Sequence, residues 1–254
     1  MEFSDAVPET PVVPRDAATV VLLRDGERGL EVFLQRRVAA MAFAAGMTVF
    51  PGGGVDRRDA DASVRWAGPE PARWAQWFSG TEAVARALVC AAVRETFEES
   101  GVLLAGAADG VVADAARYAD ARPALVSREL SLAAFLEQAG LTLRADLLRP
   151  WAHWITPVQE KRRYDTRFFV AVLPEGQNAD GATTEAESSA WQRPEEALAD
   201  AEAGRSRLMP PTWQTLRELA EFTSAAEVFA TERAVEAIIP TLVREGDRIR
   251  VVIK

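Results

Sequence analysis

The run ATVVLL, residues 18–23, is apolar and rich in β-branched side chains, the pattern of a buried strand. Turn-forming RDGERG follows at 24–29, and LEVFLQR at 30–36 then alternates apolar with polar positions. Two such runs around a short turn predict a hairpin. MTVFPGGGVD, residues 47–56, reads as a third strand entering a glycine loop. Thr81 to Ser100 is dense in helix formers and stops at Gly101, a helix-ending residue. Residues 106–150 read as mainly helical, LSLAAFLEQAG at 130–140 being the clearest amphipathic piece. AHWITP (152–157) and TRFFVAVLP (166–174) are strand candidates. The polar stretch 176–191 reads as a loop, and helices are expected over RPEEALADAEAG and PPTWQTLRELAEF. RIRVVI, 248–253, gives a last short strand.

These elements predict a mixed α/β protein in one domain over 17–222. A flexible leader at 1–16 precedes it, and a C-terminal helix and strand extension covers 223–254. Residues 57–80, Pro-bearing and holding Trp66, Trp74 and Trp77, look like an insertion, and 106–150 like a second, helical one. Both are expected to decorate one rim near the glycine loop.

Charge then removes several function classes. A net charge of -9 argues against a nucleic-acid partner or an anionic membrane surface, both of which favour cationic proteins. No apolar run reaches the ~18 residues of a membrane span. The acidic, Pro-bearing N-terminus lacks the pattern of a signal peptide. A soluble, cytoplasmic protein is the expectation. Cys90, the one cysteine, excludes an internal disulfide and a cysteine-based zinc cluster, and fits a core-facing position.

RETFEESG, Arg94 to Gly101, is the segment that packing does not account for. On a helix, Glu95 and Glu99 stand one turn apart with Glu98 beside them, while Val89, Cys90, Val93 and Phe97 project from the other side. Like charges at such spacings weaken a helix, and the macrodipole disfavours acids in its last turn. A hard divalent cation would reverse both penalties.

Arg94-Glu95-x-x-Glu98-Glu99-x-Gly101, followed by Val102, resembles the end of the Nudix box, R-E-U-x-E-E-x-G-U, with U a bulky apolar residue and Thr96 at its first U here. FPGGGVD resembles the glycine loop that Nudix proteins place before this helix. The box is interrupted, since Gly54 lies far ahead of Arg94. Counting back from Arg94 puts Gly80 at the box glycine and Arg86 where a supporting glutamate is expected. The interruption, with LQRRVAAMAFAAGMTVFPGG (34–53), WITPVQEKRRYDTRFFVAVLP and WQRPEEAL, is similar to the coenzyme A diphosphatase-related branch, from about Ala17 to Phe222.

That resemblance implies a Nudix α/β/α sandwich with a mixed sheet, and Mg²⁺- or Mn²⁺-dependent hydrolysis of a small-molecule nucleotide, coenzyme A or its acyl derivatives first. ADP-ribose, dinucleotides and dinucleoside polyphosphates stay open as substrates, as does a non-catalytic nucleotide-sensing role. It leaves a homodimer open. It assigns Glu95, Glu98 and Glu99 to the metal, with backbone carbonyls of Gly52–Gly54, Gly53 foremost, completing the sphere. Arg94 would orient a neighbouring glutamate. Glu185 is the favoured later-loop base, with Glu187 as the other candidate. One of Arg36 and Arg37 should face inward to phosphate. Arg162 and Arg163, beside Lys161 and near Arg167, could meet a 3′-phosphate, although a solvated charge run is the favoured use. His153 reads as a structural strand residue, and the three tryptophans of the insertion as core cover or a base-stacking platform.

Overall fold

Strands β1 (Arg15–Gly26) and β2 (Gly29–Arg37) form the predicted hairpin, closed where Gly26 faces Gly29. Along β1, Ala18, Val20 and Leu22 enter one hydrophobic cluster while Val21 and Leu23 enter another. This period-two alternation of apolar side chains requires cover on both faces of the sheet. The computed structural model describes residues 8–39, 44–107, 110–245 and 248–252. Residues 1–7 of the expected leader and 40–43 of the glycine-loop approach lie outside them.

The third predicted strand is two. β3 (Thr48–Val49) pairs with β2, and β4 (Gly52–Gly54) pairs with β1, so the chain changes partner at Pro51. After a 3-10 turn at Arg57–Ala60 come β5 (Trp66–Ala67) and α1 (Pro71–Trp77), then α2 (Glu82–Ser100). The hydroxyl of Thr81 accepts the Val84 N–H at the start of α2, and Gly101 ends it at φ 73°, a left-handed turn that suits glycine. Next come β6 (Ala105–Ala107), β7 (Gly110–Val111), α3 (Arg122–Val126), α4 (Leu132–Ala139) and β8 (Thr142–Arg144). β9 (Arg149–Ile155), β10 (Tyr164–Val172) and β11 (Ala186–Gln192) return to the main sheet. Helices α5 (Pro194–Glu202), α6 (Pro210–Leu219) and α7 (Ala225–Ala230) follow, then β12 (Ala237–Ile238) and a hairpin of β13 (Thr241–Glu245) and β14 (Arg248–Val252).

The main sheet runs β11-β2-β1-β10-β9-β12, with β1 and β10 parallel and their other neighbours in that sheet mostly antiparallel. Helix α2 covers one face, and side chains of α5, α6 and α7, including Ala197, Leu216, Leu219, Ala225 and Val228, cover the other. This is the expected α/β/α sandwich.

Three expectations are corrected. The insertions do not decorate a rim. Trp74 is fully buried against Phe78 and Phe169, and Phe135 of the second insertion stacks on Phe97 of α2 at 5.5 Å. Helix α2 is consequently buried without a break from Ala87 to Arg94, more than its single apolar stripe foretold. The second insertion is also only partly helical, because β6, β7 and β8 join β5 in a four-stranded sheet of their own. Finally, the core does not end at Phe222: Ala225 and Val228 are buried in it, and β12 extends the main sheet.

Candidate active site

Arg94 lies on the buried side of α2 and gathers four partners. Its Nε and Nη2 donate to the two oxygens of Asp59 at 3.0 and 2.9 Å, and Nη2 also donates to the Gly54 carbonyl at 2.9 Å. Nη1 donates to Glu95 at 2.7 Å and to Glu98 at 3.3 Å. Glu99, one turn beyond Glu95, accepts the N–H of Gly52 at 2.8 Å. The helix therefore brings Glu95 and Glu99 against the glycine loop, and Arg94 ties Glu98 to the same group by touching both Glu95 and Glu98.

The glycines earn their place by closeness. A Cβ on Gly53 would sit 2.6 Å from the Glu95 carboxylate, and one on Gly52 would meet the Ala18 carbonyl at 2.4 Å. Only a residue without a side chain lets the loop lie this near both the helix and β1.

Electrostatics sets the site apart from an ordinary acidic face. Burial pushes Glu95 up to about 7, even with Arg94 beside it. Burial likewise raises Glu98, and raises Glu99 well above the usual carboxylate range. Burial thus disfavours the ionised form of all three carboxyls, a cost that a bound cation would offset. The donor set is carboxylate and carbonyl oxygen throughout, which suits Mg²⁺ or Mn²⁺ by chemistry. As the side chains stand, Glu95 and Glu98 turn to Arg94 and Glu99 to Gly52. Among the described residues no three acidic, histidine or cysteine side chains are gathered into a cation-holding group.

Two elements carry the remaining candidates to this end of the sheet. Arg37 ends β2 facing inward, its side chain 15% exposed, and donates to Glu185 at 2.9 Å. Arg36 points outward at 52% exposure and lies 3.6 Å from Glu187, itself exposed. Glu185 sits just before β11 and its carbonyl accepts the Val38 N–H. Its charge adds to the upward pressure on both Glu98 and Glu99, so it shares their field.

Other candidates fall elsewhere. Arg163 is buried, and its guanidinium donates to the carbonyls of Thr156 and Val12. It braces the strand ends and the segment before β1 and is not presented to solvent, which corrects its expected place as a phosphate ligand. Arg162 and Lys161 are exposed. Arg167 is buried on Asp16 and Asp165, and His153 on Asp165, a structural network across β1, β9 and β10. Cys90 is fully buried, and burial pushes its thiol up to about 12, so it packs and does not attack.

Two contributors escaped sequence reading. Asp59, 2% exposed, comes from the insertion, and Arg122, 8% exposed, from the second one. Arg122 donates to the Glu98 carbonyl at 3.1 Å and pairs with both oxygens of Asp180, tying the loop before β11 to the end of α2. Neither lies in a motif; both are distant in sequence and lie in segments that look like decoration.

The family model described as the NUDT19 Nudix domain matches residues 80–219, more than half of the chain. The Gallus gallus acyl-coenzyme A diphosphatase NUDT19 is 29% identical over 171 residues, covering 58% of this chain and 44% of that one. The Homo sapiens protein of the same name is 28% identical over 253 residues, covering 83% of this chain and 66% of that one. The chain thus spans less than two thirds of the length of these relatives. The crystal structure of a Nudix hydrolase from Alicyclobacillus acidocaldarius superposes with a TM-score of 0.71 at 26% identity, over 87% of this chain and 98% of that one. Among the described residues, no helix is long and apolar enough to cross a membrane. With the box glutamates brought to the glycine loop and the family model extending from Gly80 through α6, the chain belongs to the Nudix hydrolase superfamily, in the family of the NUDT19 Nudix domain.

Proposed function

We propose that the protein hydrolyses the diphosphate of coenzyme A or acyl-coenzyme A, giving adenosine 3′,5′-bisphosphate and 4′-phosphopantetheine or its acylated form. One observation carries the reading: Glu95, Glu98 and Glu99 are buried together against the glycine loop with their carboxylates pushed upward by burial, a place that calls for a cation. The names of the chicken and human relatives favour the coenzyme A class.

The diphosphate repels hydroxide, so its cleavage needs neutralised charge, an aligned water and a proton acceptor. Glu95, Glu98 and Glu99 would hold Mg²⁺ or Mn²⁺, which would supply charge neutralisation and a more acidic water. Arg94 orients Glu95 and Glu98. Arg37 meets a phosphate oxygen, which displaces Glu185 from its guanidinium. The freed Glu185 carboxylate takes the proton of the attacking water as the P–O bond to the leaving phosphate breaks. The site is reached at a protein of net charge -9, so exposed Arg162 and Lys161 supply local attraction for the polyanion.

The test is turnover of nucleoside-diphosphate derivatives with Mg²⁺ or Mn²⁺, with products resolved by mass. Coenzyme A should be cleaved faster than ADP-ribose. The reverse order would refute the substrate class, and no metal-dependent turnover of any diphosphate would refute the hydrolase reading itself.

A further inference from the structure

We infer that Asp59 is the positioning residue of this site: through Arg94 it keeps Glu95 and Glu98 oriented and electrically free for a divalent cation. The inference rests on the metal-dependent reading above and adds to it a residue from outside the box.

Asp59 is the most buried carboxylate around Arg94, at 2% exposure. Both of its oxygens are engaged by the guanidinium, and Oδ2 also accepts the Asp56 N–H at 2.8 Å. Asp56 in turn accepts the N–H of Arg58, which fixes the 3-10 turn carrying Asp59. A two-point carboxylate–guanidinium contact sets the plane of the arginine, something a single contact cannot do. With Nε and Nη2 committed to Asp59, only Nη1 reaches Glu95 and Glu98.

Charge makes the second half of the argument. Arg94 carries one positive charge beside three carboxylates, Asp59, Glu95 and Glu98. Asp59 matches that charge in a setting of low dielectric, so the negative charge of the two glutamates is left for a cation. Without Asp59 the buried guanidinium would turn wholly to Glu95 and Glu98 and compete with the metal for both.

The sequence shows why the insertion must supply this group. Arg86, two turns before Arg94, stands where the Nudix pattern carries its supporting glutamate, and its guanidinium lies over the Trp66 ring at 5.1 Å. The supporting glutamate at that position of α2 is therefore missing, and Asp59 of the 57–80 segment provides a carboxylate across space. The insertion is part of the site.

The experiment is Mn²⁺ binding by calorimetry to the full chain and to Asp59→Asn, together with thermal melting and steady-state kinetics on coenzyme A. Outer partners of metal ligands commonly carry about 10–100-fold in metal affinity. Asp59→Asn should therefore weaken Mn²⁺ by about 10-fold or more and lower kcat, with KM for coenzyme A at saturating metal changed less than about 3-fold. A folded Asp59→Asn with wild-type Mn²⁺ affinity overturns the proposal. Should that variant fail to fold, Arg94→Lys, which keeps the charge but cannot grip Asp59 and the glutamates at once, must show the same Mn²⁺ loss, and wild-type affinity there overturns it equally. Wild-type protein that binds Mn²⁺ but cleaves no diphosphate would remove the hydrolase reading, while a Mn²⁺ loss in Asp59→Asn would still support the positioning role.

Discussion

Gly53 and Glu95 stand so close that a β-carbon on the glycine would lie 2.6 Å from the Glu95 carboxylate. The atoms it would strike are the far end of a flexible side chain, which can swing aside at small cost. Gly53→Ala is therefore expected to fold and melt nearly as the parent does, yet to displace Glu95 and lose most of its Mn²⁺-dependent turnover. Gly52→Ala is the contrast, because its β-carbon would meet the Ala18 carbonyl at 2.4 Å, and backbone cannot yield so easily. That variant should lose stability as well. Equal melting temperatures for the two would contradict this contact geometry.

Glu98→Gln and Glu99→Gln each remove a charge that a cation would need, while preserving shape. Each should cut turnover at least ~100-fold with the fold intact by circular dichroism. Burial disfavours the charge of both residues in the metal-free protein, so neither substitution should lower stability much. Arg86→Glu is the companion variant. Its side chain lies over Trp66 and outside the glutamate cluster, so activity should persist. Near-normal rates in both glutamine variants would remove the cluster from the mechanism.

Local pattern made much of this molecule legible. Alternation revealed the β1–β2 hairpin, helix formers with a terminal glycine revealed α2, and the spacing of Glu95, Glu98 and Glu99 revealed their common face. β11 was missed because AESSAWQ is an edge strand with its polar side chains largely exposed, which leaves no apolar alternation to read. The segments carrying Trp74 and Phe135 were expected at a rim, because which distant partners they pack on, here Phe169 and Phe97, is not written in local pattern. Asp59 and Arg122 were invisible for the same reason. Each reaches the box helix from a segment whose own pattern says nothing of where it folds back.

Glu185 and Glu187 separate cleanly in the structure. Glu185 pairs with inward-facing Arg37 and acts on the charge of Glu98 and Glu99, whereas Glu187 pairs loosely with exposed Arg36. Glu185→Gln is expected to lower kcat by about 100-fold or more as loss of a proton acceptor. Glu187→Gln should match the parent. Arg37→Ala should raise KM for diphosphate substrates, and Arg36→Ala should leave it nearly unchanged, since exposed ion pairs contribute little. Matched kinetics for the Glu185 and Glu187 variants would leave the base unassigned to this loop.

The substrate itself can be tested at the basic run. Lys161 and Arg162 are exposed, whereas Arg163 is bound to the carbonyls of Thr156 and Val12. Substituting Arg163 would break a buried brace and should lower the melting temperature for coenzyme A-free and coenzyme A-bound protein alike. Arg162→Glu carries the recognition test. Coenzyme A bears a 3′-phosphate that dephospho-coenzyme A lacks, and a lost arginine–phosphate contact costs on the order of 1–3 kcal/mol. If Arg162 meets that phosphate, Arg162→Glu should raise KM for coenzyme A several-fold more than KM for dephospho-coenzyme A. A general loss of attraction for anions would raise both together, and added salt would then narrow the gap between variant and parent for both compounds. Equal effects on the two substrates would therefore assign Arg162 to long-range steering and remove it from 3′-phosphate recognition.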